Sequence, residues 1–147
     1  LGDISTFPTL ADRLQQGVLN TLFLGRLMIH ENGLVTDPAF AGLIDRSHLY
    51  YDGNSQGGIM GGAATAVSTE WTKAVLGVPG MDYALLLSRS VDFNTYFQVL
   101  RGAYPDHIDQ AIIYPLLSML WVRLRHSLSA LRTCGPVITF AYSDGIS

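Results

Sequence analysis

The sequence predicts an α/β fold with parallel strands, and two observations carry that prediction. A short aromatic segment, His48-Leu49-Tyr50-Tyr51-Asp52, runs into a glycine-containing turn, then into small and apolar residues from 58 to 67. A second β-rich segment follows, Lys73-Ala74-Val75-Leu76-Gly77-Val78, ended by Pro79-Gly80. Strand, helix, strand in this order is a βαβ unit, whose two strands must lie parallel because a crossover joins them. The rest of the chain is mostly helix-patterned, with a third strand candidate at 137 to 142.

Each element has a local reason. Ser5 or Thr6 can cap a first helix, with Pro8 in its first turn. Leu10, Leu14, Val18, Leu22 and Met28 recur at helical spacing, Leu19, Phe23 and Leu27 widen the stripe, and Asp12, Arg13, Gln15 and Gln16 fall on the polar side. This helix is expected to end near Ile29, with Asn32-Gly33 as a left-handed cap. Asp37-Pro38 reads as a second helix start. The helix at 58 to 67 is rich in glycine and alanine. Each glycine there gives up about 1 kcal/mol against alanine, and what it gains is close approach to a sheet or a second helix. Further helices are expected at 81 to 87, 92 to 100 and 106 to 124. Asp106 caps the last of these, and Pro115 kinks it for want of an amide donor. With no internal repeat or long linker, residues 1–147 read as a single domain.

Composition narrows the classes of function. The 147 residues are 48% hydrophobic and 14% charged, with a formal net charge of -3. That is a core-forming chain without the basic surface that nucleic acid requires. Arg123, Arg125 and Arg132 make the C-terminal part locally basic, which suits a solvated helix face. The lone Cys134 rules out an intrachain disulfide and a cysteine-built metal site. There is no H-E-x-x-H motif, so neither a metal nor a cofactor is expected. The most apolar stretch, 17 to 29, is interrupted by Asn20 and Arg26 and is shorter than the roughly 20 residues a membrane span needs. No signal-peptide pattern is visible, and the sequence opens at Leu1, which leaves both cytoplasmic and secreted locations open.

The chemistry-bearing motif is Gly53-Asn54-Ser55-Gln56-Gly57, which fits the nucleophile-elbow pattern G-x-S-x-G. A serine on a sharp strand-to-helix turn holds its hydroxyl clear of the sheet. Glycines at positions 53 and 57 remove side chains that would crowd the turn. The helix that follows aims its N-terminus at the serine, and the Gln56 amide is the expected oxyanion donor. The alternative is an ordinary glycine-rich strand-to-helix turn. Phosphate-binding versions of that turn need G-x-G-x-x-G or a lysine followed by serine or threonine, and neither is present.

Beyond the pentapeptide, Leu49-Tyr50-Tyr51-Asp52-Gly53-Asn54-Ser55-Gln56-Gly57-Gly58-Ile59-Met60-Gly61-Gly62 resembles the elbow region of a bacterial group of α/β-hydrolase-fold proteins of the serine esterase and lipase kind. Ala74-Val75-Leu76-Gly77-Val78-Pro79-Gly80-Met81, Phe7-Pro8-Thr9-Leu10-Ala11-Asp12-Arg13 and Leu24-Gly25-Arg26 are similar to the same group. The likeness runs from residue 3 to residue 121 and is poor from Val122 onward. It implies a partial or minimal α/β-hydrolase fold in which Ser55 attacks a carboxylic ester, releases the alcohol and leaves an acyl-enzyme that water hydrolyses. It also implies that residues 81–125 form a helical lid-like segment, with Leu85, Leu86, Leu87, Phe93, Tyr96 and Phe97 as candidate linings of an acyl pocket. A full member has several strands before the first helix, one loop of which supplies a second oxyanion amide. It also continues beyond the third strand to an acid and a histidine. Asp144 is the candidate acid by this resemblance, and the sequence stops short of the family histidine, so the chain looks short at both ends.

A base for Ser55 must then come from elsewhere. His30 suits a helix C-terminus, and His48 starts the nucleophile strand at the end far from the elbow. His107 and His126 follow Ser55 in chain order, His107 in the helix start Asp106-His107-Ile108-Asp109, and both are candidate bases with a surface or capping role as the alternative. The expected partner is a small-molecule ester. Unpaired strand edges in an incomplete sheet would also favour a homo-oligomer. The competing readings are a catalytically impaired hydrolase-fold fragment that binds or scaffolds, and peptidase or thioesterase chemistry on the same triad.

Overall fold

A computed structural model of the chain describes residues 2–79, 83–129 and 137–141; at positions 4, 83, 87, 120–129 and 137–141 the description is of the backbone. Helix α1, Phe7–Ile29, has Pro8 in its first turn, where a missing N–H goes unneeded. Thr6 precedes it but does not cap it: its hydroxyl donates to the Asp3 carbonyl at 2.8 Å. The expected left-handed ending does not form. His30 turns straight to extended backbone (φ -69°, ψ 142°), and Gly33 has φ -95°. The carbonyls of the last turn are satisfied otherwise: His30 N–H donates to Arg26 O at 2.9 Å, and the Arg46 Nε donates to Ile29 O at 2.9 Å. A side chain from a later loop thus does what a glycine cap does elsewhere. The helix start expected at Asp37-Pro38 is real but lasts one 3-10 turn, Pro38–Phe40, with the Asp37 carboxylate accepting from Ala39 N–H at 2.9 Å.

Strand β1 is Tyr51–Asn54 rather than the expected 48 to 52. The segment before it is held back by its own side chains: the Asp45 carboxylate accepts from Ser47 N–H at 2.8 Å, and His48 joins the same cluster. Such local bonds compete with strand pairing. Helix α2, Gln56–Val67, and strand β2, Lys73–Gly77, complete the βαβ unit. Three helices follow, α3 (Tyr83–Arg89), α4 (Asn94–Ala103) and α5 (His107–Ser129), then strand β3 (Val137–Ala141). The sheet order is β1-β2-β3, parallel throughout, with Tyr51 opposite Ala74 and Lys73 opposite Val137. The α/β class and the parallel pairing expected from the sequence are therefore present.

One face of the sheet carries Tyr51, Gly53, Ala74 and Leu76 under α2, and these are buried or half-buried. The other face carries Asp52, Asn54, Lys73 and Val75, all exposed, Val75 to 42%. Parallel sheets are ordinarily covered on both faces; among the described residues this one is covered on one. Trp71, just before β2, ties the covered side together. It is buried, its indole N–H donates to Thr65 Oγ1 at 3.2 Å, and its ring stacks on Tyr51 at 5.6 Å between centroids. It also lies across Gly25 of α1, where even a β-carbon would meet the indole at 3.0 Å.

The main apolar cluster joins Phe7 of α1, Ala84 of α3, Leu100 of α4, and Ile113 and Leu117 of α5, with Met60 of α2 packed against it. The helices after β2 therefore share one core with α1 and α2. Among the described residues, no helix is long and apolar enough to cross a membrane.

Leu100 is fully buried and Leu43 is 76% exposed. Leu100→Ala should therefore cost about 2–5 kcal/mol in urea unfolding, while Leu43→Ala should change stability by less than about 0.5 kcal/mol. Equal effects would contradict this core.

Candidate functional site

The turn from β1 into α2 puts Ser55 where the motif predicts. Ser55 is the residue before α2 and has φ 55° and ψ -117°, a region side-chain-bearing residues seldom enter. Two backbone bonds hold it there. Its N–H donates to Gly77 O at the end of β2, 3.0 Å, and its carbonyl accepts from Ile59 N–H, 3.0 Å, opening the helix. The side chain is exposed and makes no hydrogen bond among the described residues. Val78, directly after β2, has φ 43°. Two strained residues thus stand side by side at the C-terminal edge of the sheet, where ligands of α/β sheets bind.

The first turn of α2 lies directly after Ser55. Gln56, Gly57 and Gly58 begin α2, and among the described residues their backbone N–H groups have no carbonyl partner, as is usual for the first turn of a helix. The positive end of the helix dipole lies at this turn and favours negative charge there. Tyr51, which no local motif marks, steadies this turn: its hydroxyl donates to Gly57 O at 2.8 Å. Burial is the main reason its phenol is held above its ordinary pKa, and the nearby Asp52 charge adds to the effect.

The glycine pattern differs from expectation at one position. At Gly53 a β-carbon would collide with the Gly57 backbone, as the motif implies. At Gly57 it would meet only the Tyr51 hydroxyl, at 3.8 Å, so this glycine is not demanded by the turn. The demand falls on Gly58, whose missing β-carbon lets α2 rest on the Gly77 carbonyl. The five-residue pattern ends one residue too early to show this.

The triad candidates are not brought together among the described residues. His107 is the exposed first residue of α5, and no hydrogen bond or ion pair joins it to Asp106 or Asp109. The Asp106 carboxylate is already used, accepting from Ile108 N–H at 2.7 Å as the expected cap. His126 lies in α5, its side chain outside the described residues; Asp144 and Cys134 lie outside them altogether. Among the described residues, an aspartate–histidine contact is made by Asp45 with His48, 3.3 Å, in the loop ahead of β1 at the end far from Ser55. There the Ser47 hydroxyl, the Ser47 N–H and His48, in that order, hold the Asp45 carboxyl down to about 2. Among the described residues no cluster of histidine, cysteine, aspartate or glutamate has the makings of a metal site.

A cavity of about 250 Å³ adjoins the elbow at Gln56 and Gly57, between α1 and α2. None of the described residues expected to line an acyl pocket reaches it. Phe93 and Phe97 pack on the core instead, and Leu85 and Tyr96 are exposed. Scans against known protein families, curated proteins and solved structures each return no match.

Two predictions follow from this geometry. Gly58→Ala should destabilise the fold strongly, whereas Gly57→Ala should be neutral or stabilise by up to about 1 kcal/mol through helix propensity; paired thermal melts would decide between them. Asp45 should titrate near pH 2 rather than at its ordinary 3.8. Because its folded pKa is depressed, whatever this turn adds to stability is complete above 3.8 and disappears as pH falls through about 2. A carboxyl titration followed by NMR and centred at the ordinary value would show that the turn does not form.

Proposed function

We propose that this protein is a serine hydrolase of carboxylic esters, with Ser55 as nucleophile and the Gln56 amide as oxyanion donor. The observation that carries the reading is the backbone of Ser55. A positive φ on an exposed serine, between a strand and a helix whose first amides are unpaired, is a costly arrangement with an evident chemical use. In the reaction Ser55 Oγ attacks the ester carbonyl as its proton passes to a base. The oxyanion rests on the first amides of α2, the alcohol leaves, and water releases the acid. The base is drawn from His126 or His107. Both remain candidates, His107 meeting no carboxylate among the described residues, and Asp144 is the candidate acid. The resemblance of the elbow region to α/β-hydrolase-fold esterases supports the same chemistry.

A second reading is a hydrolase-like fold that binds a partner without turnover. The feature favouring it is the exposed second face of a parallel sheet, with β1 unpaired along its outer edge among the described residues. Such an edge invites association, including with a second copy of the chain.

The test is hydrolysis of short and medium p-nitrophenyl esters. Wild-type turnover should vanish in Ser55→Ala and in Ser55→Gly, and Ser55→Gly should melt higher, since glycine relieves a strain of about 1–3 kcal/mol. Undiminished turnover in Ser55→Ala would reject the nucleophile. A folded wild type with no turnover would favour the binding reading.

A further inference from the structure

We infer that the cavity between α1 and α2 is the pocket for the acyl chain of the substrate, a medium-length unbranched chain; this inference rests on the ester-hydrolase reading of Ser55. The cavity is a seam between two helices. Helix α1 contributes Leu14, Gly17, Val18 and Thr21, which have the i, i+3, i+4, i+7 spacing of a single helix face. Helix α2 contributes Met60 and Ala64 behind Gln56 and Gly57. The seam is open to solvent at Gly17, which is exposed, and its floor is formed by the buried Ala64.

The lining is selective in its chemistry. It carries no charged side chain. Its two hydroxyls are already spoken for: Thr21 donates to Gly17 O at 2.9 Å, and Tyr51 donates to Gly57 O at 2.8 Å. Away from the elbow, the walls therefore ask for an apolar ligand. At the elbow end the requirement reverses, because the first amides of α2 have no carbonyl partner among the described residues. A polar group at one end and an apolar tail at the other is the layout of an acyl ester. The cavity meets the elbow at Gln56 and Gly57, next in the chain to Ser55, so an ester carbonyl held at the elbow has its chain beside the cavity mouth. An apolar cavity of about 150 Å³ admits benzene, so the present 250 Å³ has room for a medium-length chain.

Gly17 offers a clean test, because a β-carbon there meets nothing within 4 Å, and a larger side chain grows into the space. Gly17→Leu should lower turnover of p-nitrophenyl octanoate at least tenfold relative to the acetate, whereas Gly17→Ala should shift the ratio little. Thr21→Leu, one turn along, narrows the same space and serves if Gly17→Leu fails to fold. Binding is read separately. Octanoate added to Ser55→Ala protein should shift the Met60 methyl resonance, and the shift should be lost when Gly17→Leu is combined with Ser55→Ala. Serine-dependent turnover with an unchanged chain-length ratio would overturn the pocket and leave the hydrolase reading standing. Octanoate binding at Met60 without any turnover would uphold an apolar-chain site and reject the hydrolase. A Met60 resonance unmoved by octanoate would overturn the pocket outright.

Discussion

The contact between Gly58 and the Gly77 carbonyl sets the position of nearly everything described above. It fixes how near α2 approaches the end of β2. That distance determines whether the Ser55 N–H can reach Gly77 O, and the hydrogen bond in turn holds Ser55 in its unusual backbone region. The other glycine-dependent packings lie along the same layer. Gly61 sits against Tyr51 and Leu76 where any side chain would clash, and Gly25 lies under the Trp71 ring. A helix poor in intrinsic propensity is thus kept in place by proximity, and the exposed hydroxyl is a by-product of how tightly the backbones stack.

Local signals in the sequence were read well where the chain's own neighbours decide the outcome. The strand-helix-strand succession, the first helix up to Ile29 and the Asp106 cap all follow from spacing and side-chain chemistry within a few residues. The departures occur where distant residues intervene. The end of α1 is settled by Arg46, seventeen positions beyond Ile29, so a glycine cap is unnecessary. β1 starts at Tyr51 because Asp45, Ser47 and His48 bond among themselves.

The site shows the same division. The sharp turn at Ser55 was legible because its strand, glycine and helix signals are all local. Gly58 and Tyr51 were not, since their roles depend on what β2 and the first turn of α2 place opposite them. The cavity was least legible of all. It exists because two helix faces separated by about forty residues of chain meet across small side chains, and a periodicity count cannot see a gap. The apolar residues of the later helices looked like a ligand surface for the opposite reason. Their spacing is what a shared core also produces, and Phe93 and Phe97 are used for that core.

The strained serine bears on how such a chain changes over generations. Most random substitutions weaken a fold, but position 55 is an exception, because glycine there would relax the backbone without disturbing a neighbour. For some serine codons that change is a single nucleotide away. A lineage with no use for the hydroxyl would drift toward the more stable residue. Serine at this turn therefore stands under a thermodynamic incentive toward glycine.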